Sequence, residues 1–85
     1  MEILITGGAG FIGSHFADYM LRNYPNDRIV CLDKLTYAGN MHNLEGALEN
    51  KNFTFVCGDI ADEGAVEKLF CSHSFGMVIN FAAES

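Results

Sequence analysis

The sequence predicts an α/β fold with a doubly wound parallel sheet, and three observations predict it. Strand and helix candidates alternate along the chain in the order β-α-β-(α)-β-α-β. The strand candidates are near-continuous apolar runs rather than alternating ones, as expected of strands covered on both faces. A cluster of glycines separates the first strand from the first helix. Right-handed crossovers then place the strands in the spatial order 3-2-1-4.

The elements follow in order. Glu2 to Thr6 reads as a short buried strand. Phe11 to Tyr24 reads as a helix: apolar or small residues stand at 12, 13, 16, 17, 20, 21 and 24, and polar or amphipathic ones at 14, 15, 18, 19, 22 and 23, a split with helical period. Pro25-Asn26-Asp27 is a turn, and Arg28 to Leu32 is a second strand. Asp33 to His42 is irregular, with Gly39-Asn40 as a turn signal, and Asn43 to Glu49 is a short helix. Phe53 to Cys57 is a third strand, broken by Gly58-Asp59. A further helix runs from Asp62, its N-cap, to His73, with Val66, Leu69 and Phe70 as its buried face. Gly76 precedes a fourth strand, residues 77–82, in which Asn80 is expected as a satisfied polar group of the core. His15 and His42 are expected at the surface. Tyr37 lies in a polar loop, where it either stacks on a base or covers the core.

The bulk numbers narrow the function. At 85 residues the chain holds one domain at most. A net charge of −6 with only five scattered basic residues argues against a nucleic-acid partner. A bound phosphate must then be held by backbone N–H groups. The three cysteines, Cys31, Cys57 and Cys71, form no C-x-x-C pair and read as reduced thiols used as small core hydrophobes. No apolar run approaches the ~18 residues of a membrane span. Met1-Glu2 opens no signal-peptide pattern. The expectation is a cytoplasmic protein with no membrane partner. No His/Cys/carboxylate cluster has metal-ligand spacing, and no nucleophile–base constellation is visible.

The glycines carry the chemistry. Gly8-x-Gly10-x-x-Gly13 fits the dinucleotide fingerprint, and Gly7-x-x-Gly10-x-x-Gly13 fits its variant with one more residue in the first gap. One glycine permits the tight turn out of the strand, Gly10 admits a pyrophosphate to the backbone, and Gly13 lets the helix approach the sheet. The helix N-terminus offers unpaired N–H groups and partial positive charge to the anion. The fingerprint needs a carboxylate at the end of the second strand, and Asp33 stands 20 positions after Gly13. There it accepts hydrogen bonds from the adenosine ribose and repels a 2′-phosphate, favouring NAD over NADP, a preference that the adjacent Lys34 tempers. The bland alternative is a strand-to-helix turn with Asp33 as a cap; strand, helix and carboxylate together favour the dinucleotide. Asp59 reads equally well as a turn residue or as a residue of the ligand crevice.

These residues also carry a family resemblance. TGGAGFIG, residues 6–13, resembles the extended short-chain dehydrogenase/reductase superfamily. LDKLTYAGN at 32–40, GDI at 58–60 and NFAAES at 80–85 are similar to the nucleotide-sugar 4,6-dehydratases, in particular the dTDP-glucose 4,6-dehydratases. The resemblance covers the whole chain in register. It implies a Rossmann-like fold and NAD as cofactor. It implies that Phe11 and Ile12 contact the pyrophosphate, that Asp33, Lys34, Leu35 and Thr36 surround the adenosine ribose, and that Asp59 and Ile60 contact the adenine. Phe81, Ala82, Ala83, Glu84 and Ser85 would run beneath the ribose and nicotinamide, with Ser85 reaching the nucleotide-sugar substrate. His15 stands where the family has asparagine or a small residue.

By the same resemblance, the parent enzyme is a homodimer. It oxidises the sugar at C4 with NAD, eliminates water across C5–C6 and returns hydride to C6, for deoxysugar synthesis such as that of rhamnose. The family's Tyr-x-x-x-Lys pair, Ser or Thr, and Asp-Glu pair have no counterpart in these 85 residues. Residues 1–85 are therefore expected to be the N-terminal part of an NAD-binding Rossmann domain, an incomplete portion without its catalytic and substrate half. Its fourth strand would be an unpaired apolar edge, and it would hold no catalytic residue and show no dehydratase activity alone. Two alternatives stay open: a fragment of a nucleotide-sugar epimerase, and a non-catalytic NAD-binding module. The sequence following Ser85 distinguishes them.

Overall fold

Four parallel strands form one sheet in the order β3-β2-β1-β4 in the computed structural model, which describes residues 1–7, 11–34 and 44–81. The strands are β1 (Glu2–Thr6), β2 (Arg28–Asp33), β3 (Phe53–Cys57) and β4 (Phe75–Asn80). The helices are α1 (Phe11–Asn23), α2 (Glu45–Leu48) and α3 (Glu63–Ser72). The predicted strand order is the observed one. The Gly39-Asn40 turn, Tyr37, His42, Asn43 and Ala82 lie outside the described residues.

Two central strands explain the apolar runs. β1 pairs with β2 from Glu2↔Arg28 to Thr6↔Leu32, and β2 pairs with β3 from Ile29↔Phe53 to Asp33↔Cys57. Side chains alternate between faces. Ile3, Ile5, Ile29 and Cys31 pack with Ala17 and Leu21 of α1 and with Leu44 and Ala47 at α2. Leu4, Val30 and Leu32 pack on the other face with Leu69 of α3. Burying each large aliphatic side chain contributes about 1.5–3 kcal/mol.

The outer strands differ from the expected double burial. β3 is buried only at Phe53, and in β4 Met77 and Val78 stay 41% and 49% exposed. Among the described residues, each is an edge of the sheet, with a neighbouring strand on one side only. The edge position of β4 is the expected one. Asn80 is hydrogen-bonded but exposed, so it is not a core residue.

Several boundaries and burial assignments also shift. β2 runs one residue further than predicted, to Asp33, because that residue still pairs with Cys57. β4 starts at Phe75 rather than Met77. Gly76 is taken into the strand as the extra residue of a bulge, since Glu2 pairs with Phe75 but Ile3 pairs with Met77. A Cβ at Gly76 would stand 2.7 Å from Cγ and Sδ of Met1, so the bulge brings these segments close. Cys31 is buried as expected, but Cys57 on an edge strand and Cys71 on the outward side of α3 are exposed. On α1 the buried residues are Gly13, Ser14, Ala17 and Leu21, so Ser14 leaves the predicted polar side, while Ile12, one position ahead of them, points outward and is 65% exposed. Tyr24 lies past the end of α1 and is exposed. On α3, Leu69 is buried and Val66 half-buried, while the exposed Phe70 lies edge-on against Phe75 at 5.3 Å.

The two ends of α3 are fixed by polar contacts. Asp62 caps the start, accepting a hydrogen bond from Ala65 N at 3.2 Å. At the other end, His73 Nδ1 lies 2.9 Å from Glu2 Oε2, and Ser74 N donates to Glu2 Oε1. The hydrogen bond with His73 leads in holding the Glu2 carboxyl below its ordinary 4.5, and the bond from Ser74 adds to it. A depressed carboxyl stabilises the fold above its ordinary pKa, and this contribution disappears as pH falls through the depressed value. Glu2→Gln is therefore expected to flatten the acid limb of the stability–pH profile below about pH 4.5, read by urea unfolding at a series of pH values.

Candidate functional site

Parallel strands deliver their carboxyl ends to one edge, and the predicted site residues gather there. Gly7 follows β1, Asp33 ends β2 with Lys34 after it, Gly58 and Asp59 follow β3, and Phe81 follows β4. The backbone ladders continue into this edge. Gly7 N donates to Leu32 O at 2.8 Å, Gly58 N to Asp33 O at 3.0 Å, and Phe81 N to Thr6 O at 2.7 Å. The edge is thus a bonded rim rather than a set of loose ends.

Gly7 leaves β1 at φ 74°. That left-handed conformation suits glycine, which has no Cβ to clash with the following carbonyl. The chain then enters α1, whose first turn carries no acidic side chain. A helix amino end carries partial positive charge, which suits an anion. Gly13 is buried in this first turn, where the helix meets the sheet. Ile12, beside it, presents an apolar side chain to the outside.

On the other side of β1's exit, Asp33 is half-buried and Lys34 exposed. Lys34 Nζ lies 3.4 Å from Asp59 Oδ2. Asp59 is itself fixed: its Oδ1 accepts from Ala61 N at 2.9 Å, and its carbonyl accepts from Asp62 N. The Ala61 hydrogen bond leads in holding the Asp59 carboxyl below its ordinary value; Lys34 adds to this, and partial desolvation opposes it. Ile60, next in the turn, is 42% exposed. At the β4 end, Thr6 Oγ1 donates to Asn80 Oδ1 at 2.6 Å, and the Phe81 ring packs on Phe16 at 5.8 Å.

The structure therefore brings together Gly7, Ile12, Gly13, Asp33, Lys34, Asp59, Ile60 and Phe81, and α1 opens at Phe11. Gly8, Gly10, Leu35, Thr36, Ala82, Ala83, Glu84 and Ser85 lie outside the described residues. Two features escaped the sequence reading. The Lys34–Asp59 pair was encoded in two strand ends, Asp-Lys and Gly-Asp, that the order 3-2-1-4 makes neighbours. The Thr6–Asn80 bond joins residues 74 apart in the chain, and no local pattern announces it.

Residues 4–85 match the family model described as GDP-mannose 4,6 dehydratase. The chain belongs to the GDP-mannose 4,6-dehydratase family. Within or near this family, the low-salt glycan biosynthesis protein Agl12 of Haloferax volcanii is 51% identical over 85 residues, all of this chain and 26% of that protein. A dTDP-glucose 4,6-dehydratase of an Actinoplanes species is 46% identical, covering all of this chain and 28% of that enzyme. Among solved structures, the dTDP-glucose 4,6-dehydratase of Bacillus anthracis in complex with NAD superposes with a TM-score of 0.92 at 43% identity, over 99% of this chain and 27% of that one. The chain thus spans about a quarter of the length of these relatives. The four-stranded sheet described above is the Rossmann-like arrangement of the dehydratases.

The two glycines at Gly7 and Gly46 should respond oppositely to alanine. Gly7→Ala forces a left-handed alanine and is expected to cost about 1–2 kcal/mol. Gly46 lies in α2, and an added Cβ meets nothing within 4 Å. Gly46→Ala is expected to stabilise by about 0.4–1 kcal/mol. Urea unfolding of the two variants beside the parent protein checks both signs.

Proposed function

We propose that this chain is the NAD-binding part of a nucleotide-sugar 4,6-dehydratase acting on dTDP-glucose. The observation that carries this reading is the meeting of three features at one sheet edge. These are a left-handed glycine exit from β1, a helix amino end free of acidic side chains, and a half-buried carboxylate at the end of β2. The similarity to dTDP-glucose 4,6-dehydratases, one of them solved with NAD, supports the same cofactor and substrate class.

The residues present fit a dinucleotide. The first turn of α1, with Phe11, Ile12 and the buried Gly13, receives the pyrophosphate without needing a basic side chain. Asp33 accepts hydrogen bonds from the adenosine ribose hydroxyls and opposes a phosphate at the 2′ position. Asp59 and Ile60 border the adenine, one as a fixed hydrogen-bond acceptor and the other as an apolar surface. Phe81, held over Phe16, begins the segment that runs through Ala82, Ala83 and Glu84 to Ser85 on the nicotinamide side, where Ser85 approaches the nucleotide sugar. Lys34, through its backbone, and Leu35 and Thr36 complete the surroundings of the ribose. When bound, NAD supplies a hydride acceptor for the sugar. The residues of this chain hold and orient it, and the acid–base chemistry falls to residues of other sequence.

Calorimetric titration with NAD and NADP tests the proposal. Saturable NAD binding, with weaker NADP binding, is expected. Asp33→Ala should weaken NAD binding by about tenfold or more, as loss of hydrogen bonds to a charged group does. Absence of NAD binding by the folded protein would overturn the reading.

A further inference from the structure

Lys34 raises a problem for the NAD reading on which this inference rests. A cation beside the β2 carboxylate is what a dinucleotide site uses to accept a 2′-phosphate. Lys34 sits directly after Asp33, on a flexible four-carbon stem that reaches several ångströms in any direction. Left unengaged, it would offset the repulsion by which Asp33 discriminates.

It is not left unengaged. Its ammonium lies 3.4 Å from Asp59 Oδ2. The anchor is rigid, because Ala61 N holds the other carboxylate oxygen and Asp62 N holds the Asp59 carbonyl. Asp62 in turn caps α3, so the turn is continuous with a helix. The Lys34 backbone is also held: Cys57 Sγ approaches its carbonyl at 3.9 Å, and Gly58 N donates to the Asp33 carbonyl just before it. Both ends of the lysine are thus referred to the β3 end. Cys31 belongs to the α1-side cluster and Leu32 to the α3-side cluster. By strand alternation, Asp33, the last residue of β2, takes the α1 side, toward the glycine exit, while Lys34, beyond the strand, has its ammonium drawn to Asp59 after β3.

We propose that Asp59 is a specificity-determining residue: by tethering Lys34 at the end of β3 it keeps the ammonium away from the 2′ position, so that Asp33 alone governs the choice between NAD and NADP. The pair is exposed, with 52% and 42% of the two side chains accessible, so it adds little to stability. Its effect is on which charge meets the ribose.

Asp59→Asn tests this, because the amide keeps an acceptor for Ala61 N and so keeps the turn. Any contact of residue 59 with adenine is common to both cofactors, so the ratio of the NADP Kd to the NAD Kd isolates the 2′ position. The ratio is measured by calorimetry on the full natural polypeptide carrying this sequence. Asp59→Asn is expected to narrow the preference for NAD about tenfold, the factor that one charge-assisted hydrogen bond to phosphate supplies. Lys34→Gln should leave the ratio within about twofold of the parent, because a tethered ammonium already makes no contact at the 2′ position. The double variant Asp59→Asn, Lys34→Gln should recover the parent preference. An unchanged ratio in Asp59→Asn overturns the tether. An equal narrowing in the double variant also overturns it, since the effect would then be the lost charge of Asp59 itself. A parent protein that binds NAD without preference over NADP overturns this inference while sparing the NAD reading. A parent that binds neither cofactor overturns both.

Discussion

All four strands run in one direction, and the site depends on that direction. Parallel strands present their carboxyl ends together and their amino ends together. Residues scattered along the chain from Gly7 to Phe81 therefore share one edge without any loop having to carry them there. The crossover helices make the direction possible, because parallel neighbours need a connection that returns the chain to its starting end. α1 returns it on one face and α3 on the other. α1's return also places its amino end on the functional edge. The helix that closes the crossover is thus also the one whose dipole faces the ligand side.

The same arrangement reconciles an acidic chain with the anionic ligand proposed for it. A net charge of −6 would repel a pyrophosphate if side chains had to hold it. Backbone N–H groups at a helix end carry no such liability. Acidic side chains can then serve the sugar hydroxyls, which only need acceptors. At the opposite edge, the acidic Glu2 has a structural use, bridging the start of β1 to the segment between α3 and β4.

Much of this was legible in the sequence, for identifiable reasons. β1 and β2 are buried on both faces, so composition alone marks them. The cap at Asp62 and the glycine exit after Thr6 have local chemistry that determines local geometry. The misjudged features are those decided by tertiary context. Cys57 and Val78 look like core residues, but their strands lie at the sheet's edges, where covering surface is scarce. Ile12 fits the apolar helix pattern but falls outside the narrower stripe that meets the sheet. The Lys34–Asp59 pair belongs to neither strand's own pattern. It appears only when the strand order sets two chain ends side by side. Within the site, the glycine exit and Asp33 were readable because a spacing links them, whereas the partners that orient Asp59 were not.

The bulge at Gly76 gives β4 a change of phase. In an uninterrupted strand, Phe75 and Ile79 are four residues apart and would lie on the same face. Here Phe75 packs with the α3-side cluster and Ile79 with the α1-side cluster. The extra residue shifts the alternation by one position, so both halves of the strand stay in step with β1. Gly76 is thus the residue of β4 whose loss would leave the faces of its neighbours unchanged, because Phe75 and Met77 already oppose adjacent residues of β1.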